Sequence, residues 1–430
     1  MFLDEKYAYN VNKLKYLFNL SSKKSVASEV NTYIGMANIE SNTGIYLSSE
    51  NEKGQGDCSV FSQENVLFGK LRPYLNKVYF AEFNGGCTTE FIVMDSLDET
   101  IISNKFLSIF LLLDCVVNQT KYMMTGNTLP RLQTFDIENF IIPIPSKDIQ
   151  QNIIDMMDKA YKVKKQKEKE AQNLLDSIDD YLFDKLEIKL PIEPENSIEN
   201  RIFKVGFDDI LGDRLDADSY TSYYQNIFEI FEKSVCKFTT LKTITKKIKT
   251  GTTPEQKLDA FTTEKEIPFL RNSDIQDGEI IDSKFKYIKN EVEKNLTFSY
   301  KNEIIICIAG TIGVSALNRF DRLAINQNVS SLMIDETQIN INFLIYWLNT
   351  KVAISLLKRL ASIATIAYVN NPTLLRLQIP LPDINIQNEI ADEIKQRRQK
   401  AKHLQNKAKL ELENAKKDVE KIILGDAYES

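Results

Sequence analysis

The sequence predicts a mixed α+β chain: two globular α/β bodies joined by two long antiparallel coiled-coil helices, with internal pseudo-two-fold symmetry. Three observations predict it. First, Ile142-Pro143-Ile144-Pro145, followed by Gln150 and Ile153, returns 237 residues later as Ile379-Pro380-Leu381-Pro382, Gln387 and Ile390. A period that long marks a duplicated domain and not a solenoid. Second, each copy opens a long charged run with helical spacing of its apolar residues. Third, the stretch before each copy runs through the same succession: a polar loop, a buried strand, a second strand, an amphipathic helix, then the proline signature.

The elements follow in order. The first body covers residues 1–147. Asn65–Phe68 and Phe91–Met94 read as strands and Asn104–Val117 as a helix. Pro-x-Pro ends the body, because proline fixes φ and drives the preceding residue into extended backbone. The first spacer helix, 148–188, places Ile149, Ile153, Met157, Ala160, Ala171, Leu174 and Ile178 on one stripe, with Lys164 and Lys167 weakening its middle. Leu190–Asn200, with two prolines among polar residues, marks a linker at 189–205. The second body, 206–383, holds strands at Glu303–Ile308 and Val329–Ile334 and a helix at Ile341–Leu360. The second spacer helix, 384–425, carries Ile386, Ile390, Ile394, Ala401, Leu404, Ala408, Leu412, Ala415, Val419 and Ile422 at steps of 3, 4 and 7, a coiled-coil seam, and Gly425 as C-cap. The expected seam of the pair is Ile153, Met157, Leu174, Ile178, Ile390, Ile394, Leu404 and Val419. About 38 helical residues reach about 57 Å. Two independent surface helices are an equally simple reading, but neither stripe stays dry alone.

Composition narrows the function. The chain has 430 residues, 43% hydrophobic and 27% charged, which suits two to four soluble domains. Its longest apolar runs, Phe106–Val117 and Ile304–Leu317, are too short to span a bilayer, so no membrane partner is expected. Met1–Asn10 has no apolar h-region and does not read as a signal peptide. Five scattered cysteines without metal-site spacing read as reduced thiols of a cytoplasmic protein. The single histidine, His403, lies in the second spacer helix, which leaves little for His-based acid–base or metal chemistry. With 15 glycines and neither a P-loop nor a dinucleotide fingerprint, no cofactor and no metal are expected on this chain. An internal two-fold suits a nearly two-fold target, and double-stranded DNA is the leading candidate. A net charge of −6 argues against strong unaided DNA affinity, so any grip is local or shared with a partner.

The polar motifs carry the rest. The second body has Thr250-Gly251-Thr252-Thr253-Pro254, then Pro268-Phe269-Leu270-Arg271-Asn272-Ser273-Asp274-Ile275 with Gly278 behind it, Ala309-Gly310-Thr311-Ile312-Gly313 and Asn326-Gln327-Asn328. The first has Leu71-Arg72-Pro73-Tyr74-Leu75-Asn76-Lys77, Thr88-Thr89-Glu90-Phe91 and Gly126-Asn127-Thr128-Leu129-Pro130-Arg131. This ordered set resembles the target-recognition domains of type I restriction–modification specificity subunits over nearly the whole chain. Arg214-Leu215-Asp216-Ala217 with Tyr220 and Tyr223 is similar to the lead-in found before such domains. The first body lacks the Gly-Thr-Thr-Pro loop, and Tyr368-Val369 stands where the first body has Pro130-Arg131.

Sequence readout needs donors and acceptors on rigid loops, with cations on phosphates. The candidate DNA-binding residues are Arg72, Tyr74, Asn76, Lys77, Thr88, Thr89, Asn127 and Arg131 in the first body. In the second they are Thr252, Thr253, Arg271, Asn272, Asp274, Thr311, Asn326, Gln327 and Asn328. Each also has a plainer reading as a cap or turn residue. Thr250–Pro254 reads equally as a ligand-free turn or a phosphate loop. Lys159, Lys162, Lys164, Lys165 and Lys167, with Lys395, Arg397, Arg398, Lys400 and Lys402, read as solvated helix faces, or as a cationic strip toward DNA or a partner. Asn370-Asn371-Pro372-Thr373 is the nearest match to a methyltransferase motif and lacks its second proline and aromatic. No catalytic residue is expected: the chain reads as a reader without a reaction.

The resemblance implies a non-catalytic specificity subunit. Each body would read one half of a bipartite DNA site, and the paired helices would set the gap and dock methyltransferase subunits, two in number. Those partners would bring SAM and methylate a flipped adenine at N6. A restriction subunit would add ATP-driven translocation and cleavage. The alternatives are a bilobed coiled-coil scaffold without DNA binding, or a specificity module of a non-type-I DNA-modifying system.

Overall fold

The computed structural model describes residues 7–48, 54–121, 123–126, 129–195, 197–206, 220–254, 259–276, 278–361 and 367–425. Two compact units emerge, Met1–Ala171 with Lys402–Ser430, and Gln172–Ala401. Each takes a mixed α/β body and a stretch of both long helices, Lys147–Lys185 and Ile384–Leu424.

In the first unit the central sheet is antiparallel, in the order Phe18–Leu20, Phe91–Ser96, Val66–Gly69, Val78–Phe80. A second sheet of Lys24–Val26, Asp57–Phe61, Gly85–Thr88 and Tyr33–Ile34 ends in a parallel pair. In the second unit the central sheet has the same order: Thr245–Thr250, Val329–Ile334, Ile304–Cys307, Ser315–Leu317. Its companion has five strands. The duplication therefore extends to register, since Gly69 faces Phe91 as Cys307 faces Val329. The runs that read as strands are the two central strands of each central sheet; Val66–Gly69 and Ile304–Cys307 are buried on both faces, as continuous apolar runs require.

The two helices expected at Asn104–Val117 and Ile341–Leu360 are each broken in two. The first becomes Asn104–Leu111 and Asp114–Lys121, the second Ile341–Leu348 and Lys351–Leu360. Both breaks are pinned by an asparagine amide, the first to the loop between the last two strands of the central sheet and the second to the start of its last strand. Asn76 Nδ2 donates to the Leu112 carbonyl at 3.1 Å. Asn349 donates to the Ser315 carbonyl at 2.9 Å and accepts from its N–H at 3.1 Å. Thr350 then caps the next helix.

The repeated proline signature closes each body. Ile141–Pro143 pairs antiparallel with Val11–Lys13, and Gln378–Pro380 with Phe238–Thr240. The glutamine that follows is buried in both copies. Gln150 accepts from the Ser103 N–H at 3.0 Å and donates to the carbonyls of Ile101 and Pro145 at 2.8 and 3.0 Å. Gln387 accepts from the Asn340 N–H at 2.8 Å and donates to the Pro382 carbonyl at 2.8 Å. Ser103 and Asn340 are the N-caps of the body helices. One turn on, Ile153 and Ile390 are fully buried in the body cores.

The long helices pack antiparallel within the second unit: Arg397 reaches Ser177, and Lys185, eight residues on in the first helix, reaches Glu389, eight residues back in the second. In the first unit Lys167 meets Glu411 at 2.7 Å. Of the expected seam, Ile153, Met157, Val419, Ile390 and Ile394 are buried members of the body cores. Ile178 packs against the second core. Leu174 and Leu404 are half-buried and join neither. Lys164 is buried, its ammonium paired with Glu168 at 2.7 Å. Gly425 ends the second helix in the left-handed region, its N–H on the Lys421 carbonyl at 2.9 Å.

Removing the glutamine amide strands the N–H and carbonyl groups it satisfies. Gln150→Ala and Gln387→Ala are expected each to lower unfolding free energy by about 1–3 kcal/mol in urea titrations. A change within error for both would show that the glutamine does not hold helix to body.

Candidate nucleic-acid interface

At one end of each central sheet three loop segments are laced together by backbone hydrogen bonds. In the first unit the Lys70 N–H donates to the Glu90 carbonyl at 3.0 Å, and the Leu132 N–H to the Lys70 carbonyl at 3.0 Å. Leu71 and Arg131 form a bridge. In the second unit the Ile308 N–H donates to the Asn328 carbonyl at 2.8 Å and the Val369 N–H to the Ile308 carbonyl at 2.9 Å, while Ala309 bridges Tyr368. Arg72 thus corresponds to Gly310, Glu90 to Asn328 and Arg131 to Tyr368. Thr88 and Thr89 correspond to Asn326 and Gln327. Tyr368 therefore matches Arg131 and Val369 matches Leu132, one residue away from the alignment read in the sequence.

Of the expected first-body contacts, Arg72 and Tyr74 are exposed, and Thr88, Thr89 and Arg131 are half-buried. Arg131 forks onto Glu90 at 2.7 and 3.1 Å. Asn76 and Lys77 do not face solvent as expected. Asn76 is 3% exposed, its amide on the helix break. The Lys77 ammonium turns inward onto the carbonyls of Met36 and Ile39 at 2.5 and 2.8 Å, and burial lowers its pKa. Both anchor the loop that presents Arg72. Asn127 lies outside the described residues.

In the second body the loop Thr250–Pro254 closes on its own neighbours. The Thr252 hydroxyl donates to the Asn295 carbonyl at 2.9 Å and accepts from the Thr297 N–H at 3.0 Å. The Thr253 hydroxyl donates to the Gln327 side-chain carbonyl. Gly251 is obligatory, since a Cβ would stand 2.2 Å from the backbone oxygens of Ile325 and Asn326. Arg271 and Asp274 correct a second expectation. The guanidinium forks onto the fully buried Asp274 carboxylate at 2.8 and 3.1 Å and also donates to the Lys284 carbonyl at 3.0 Å. The pair braces a turn and offers no free donor fork. The Asn272 amide sits against Gly310, 2.8 Å from where a Cβ would be. Thr311 and Gln327 are exposed and Asn328 is half-buried. Asn326 is 7% exposed, and its side-chain oxygen has no hydrogen-bond partner among the described residues.

The helix cations are divided. Lys164, Lys167 and Arg397 are spent on Glu168, Glu411 and Glu393. Arg398 lies over the Tyr346 ring. Lys159, Lys162, Lys165, Lys395, Lys400 and Lys402 are exposed, as is His403. Sequence reading missed Glu90 and Tyr368, the partner and the counterpart of Arg131; superposing the two repeats on their Ile-Pro signatures would have found the second. Arg214–Ala217 lies outside the described residues, while Tyr220 joins Tyr224 and Phe228 around the Arg359 guanidinium. Among the described residues no group of three or more His, Cys, Asp or Glu could hold a metal ion. No described helix is long and apolar enough to cross a membrane. All five cysteines are buried, and none is in a disulfide.

Gly251→Ala is expected to destabilise the second body by about 3 kcal/mol through overpacking against backbone. Limited proteolysis should then cut within the second body while the first persists; wild-type resistance would refute the steric account.

A family model described as the type I restriction modification DNA specificity domain matches residues 8–177 and again 235–414. A solved chain, reported with the complex assembly and conformational transition of the type I R-M system, is 16% identical. It aligns over 97% of this chain and 98% of its own at a TM-score of 0.55, a likeness of fold. The HsdS subunit from Thermoanaerobacter tengcongensis is 16% identical over 97% of both chains at a TM-score of 0.40. The type I restriction-modification S subunit from M. genitalium is 13% identical over 98% and 97% at 0.45. The last two superpose too loosely to add weight.

Proposed function

This chain belongs to the type I restriction modification DNA specificity family and carries that domain twice, and we propose that each copy reads one half of a bipartite site on double-stranded DNA. The observation that carries this reading is the pair of corresponding loop clusters. The backbone lacing is the same in both, but Arg72, Glu90 and Arg131 in one stand against Gly310, Asn328 and Tyr368 in the other. One scaffold with different donors and acceptors is what two different half-sites call for.

The long helices fix the gap between the half-sites, because two rigid readers on one duplex must keep a compatible helical phase. Exposed stretches of these helices dock methyltransferase subunits, two to the complex. Those subunits bind SAM and carry out adenine N6 methylation on a flipped base. A restriction subunit supplies ATP-driven translocation and cleavage. The present chain supplies recognition and no reacting group, and much of the phosphate neutralisation comes from its partners, in keeping with the net charge of −6.

Genome-wide mapping of N6-methyladenine, in cells expressing this chain with its cognate methyltransferase subunit, should return one split motif with a constant gap. Replacing residues 1–147 with the corresponding body of a relative should change one half-site only. One heptad inserted in each long helix should change the gap and leave both half-sites intact. Methylation identical with and without the chain would overturn the recognition role and favour a protein scaffold.

A further inference from the structure

We propose that Arg72 is a specificity-determining residue of the first body, pairing its guanidinium with a guanine edge in the major groove. This rests on the DNA-recognition reading above and narrows it to one side chain and one base pair.

The argument starts from the backbone. Arg72 has φ +49°, in the left-handed region that L residues with a Cβ avoid. Its counterpart in the second body, Gly310, has φ +73° and occupies the same turn at no steric cost. The turn therefore needs a left-handed residue here, glycine satisfies it, and the first body nonetheless carries an arginine. Asn76, also left-handed at φ +44°, is compensated by its buried amide bond to the Leu112 carbonyl. Arg72 has no such compensation. Its side chain is exposed and makes no hydrogen bond, ion pair or ring contact among the described residues. Strain kept without a structural return points to a role outside the folded chain.

The surroundings fix where that side chain starts. The Arg72 N–H donates to the Pro130 carbonyl at 2.7 Å, its carbonyl accepts from the Leu75 N–H at 2.8 Å, and Pro73 beside it is buried. Below the turn, Asn76 and Lys77 are tied into the body. Arg131, the neighbouring arginine, is held by Glu90. A phosphate contact tolerates a mobile cation and needs no strained backbone. A bidentate pairing with guanine O6 and N7 needs a planar fork delivered from a fixed origin, and the pinned left-handed turn supplies one.

The test is Arg72→Gly, the residue the second body uses at this turn, with Arg72→Lys beside it. Each is assayed in the complex with the cognate methyltransferase subunits. Glycine keeps the turn, so thermal stability should be unchanged or raised. The methylated motif should lose discrimination at one G·C pair of the first half-site, by roughly 10- to 100-fold, while the second half-site stays as it was. Arg72→Lys should relax the same position with a smaller loss of affinity, since it keeps the charge and loses the fork. An unchanged motif with uniformly weaker binding and a shallower salt dependence would make Arg72 a phosphate contact and overturn the proposal. Unchanged motif and affinity would overturn it as well. A wild-type complex that yields no split motif would instead remove the DNA-recognition reading, and this proposal with it.

Discussion

One buried glutamine at the head of each long helix holds the architecture together. Gln150 and Gln387 each bond to the N-cap of a body helix and to the proline turn that ends the body's last strand. A buried amide is costly unless its oxygen and nitrogen are both used, and here both are. The helix therefore cannot leave the body without stranding these groups, and Ile153 or Ile390 one turn later commits it to the core. Everything the bodies display is thereby referred to a helix axis. Without that reference, loops at the sheet end would have no fixed relation to the element that runs on for about forty residues.

On this frame the loop clusters differ by substitution and not by rebuilding. Backbone bonds hold Lys70, Glu90 and Leu132 together in one unit, and Ile308, Asn328 and Val369 in the other. Because the lacing uses main-chain groups, side chains at these positions are free to vary. The Glu90–Arg131 fork of one cluster stands where the other has Asn328 and Tyr368, an amide and a phenol. Where a side chain does carry structural weight, it varies in kind: Asn76 donates from loop to helix, and Asn349 from helix to strand.

The parts of the fold legible in the sequence were those whose physical demand is the same in both copies. The Ile-Pro signature, the glutamine and the isoleucine repeat because closure and clasp repeat. Val66–Gly69 and Ile304–Cys307 showed as apolar runs because both their faces are buried. The helix breaks at Leu112 and Asn349 were hidden, since apolar residues continue across the first and the second turns on one asparagine's bond to a distant strand. Polarity also misled at Asn76, Lys77, Arg271 and Asp274. Residue type reports a capacity to hydrogen-bond, and only the fold says whether that capacity is spent inside. Arg271 and Asp274 stand three residues apart, a spacing that allows mutual pairing; Lys77 gave no such sign, because its acceptors are carbonyls some forty residues away.

The pairing of each body's first strand with its last has a consequence at the level of the gene. Val11–Lys13 lies against Ile141–Pro143, and Phe238–Thr240 against Gln378–Pro380, so the chain enters and leaves each body at adjacent backbone. A segment whose ends are neighbours behaves as an insert that the surrounding chain need not accommodate. Exchange of such a segment leaves the long-helix stripes, and their residue count, as they were. New recognition chemistry can therefore be acquired by a single crossover at each flank, in one event and not through a series of compensated point changes.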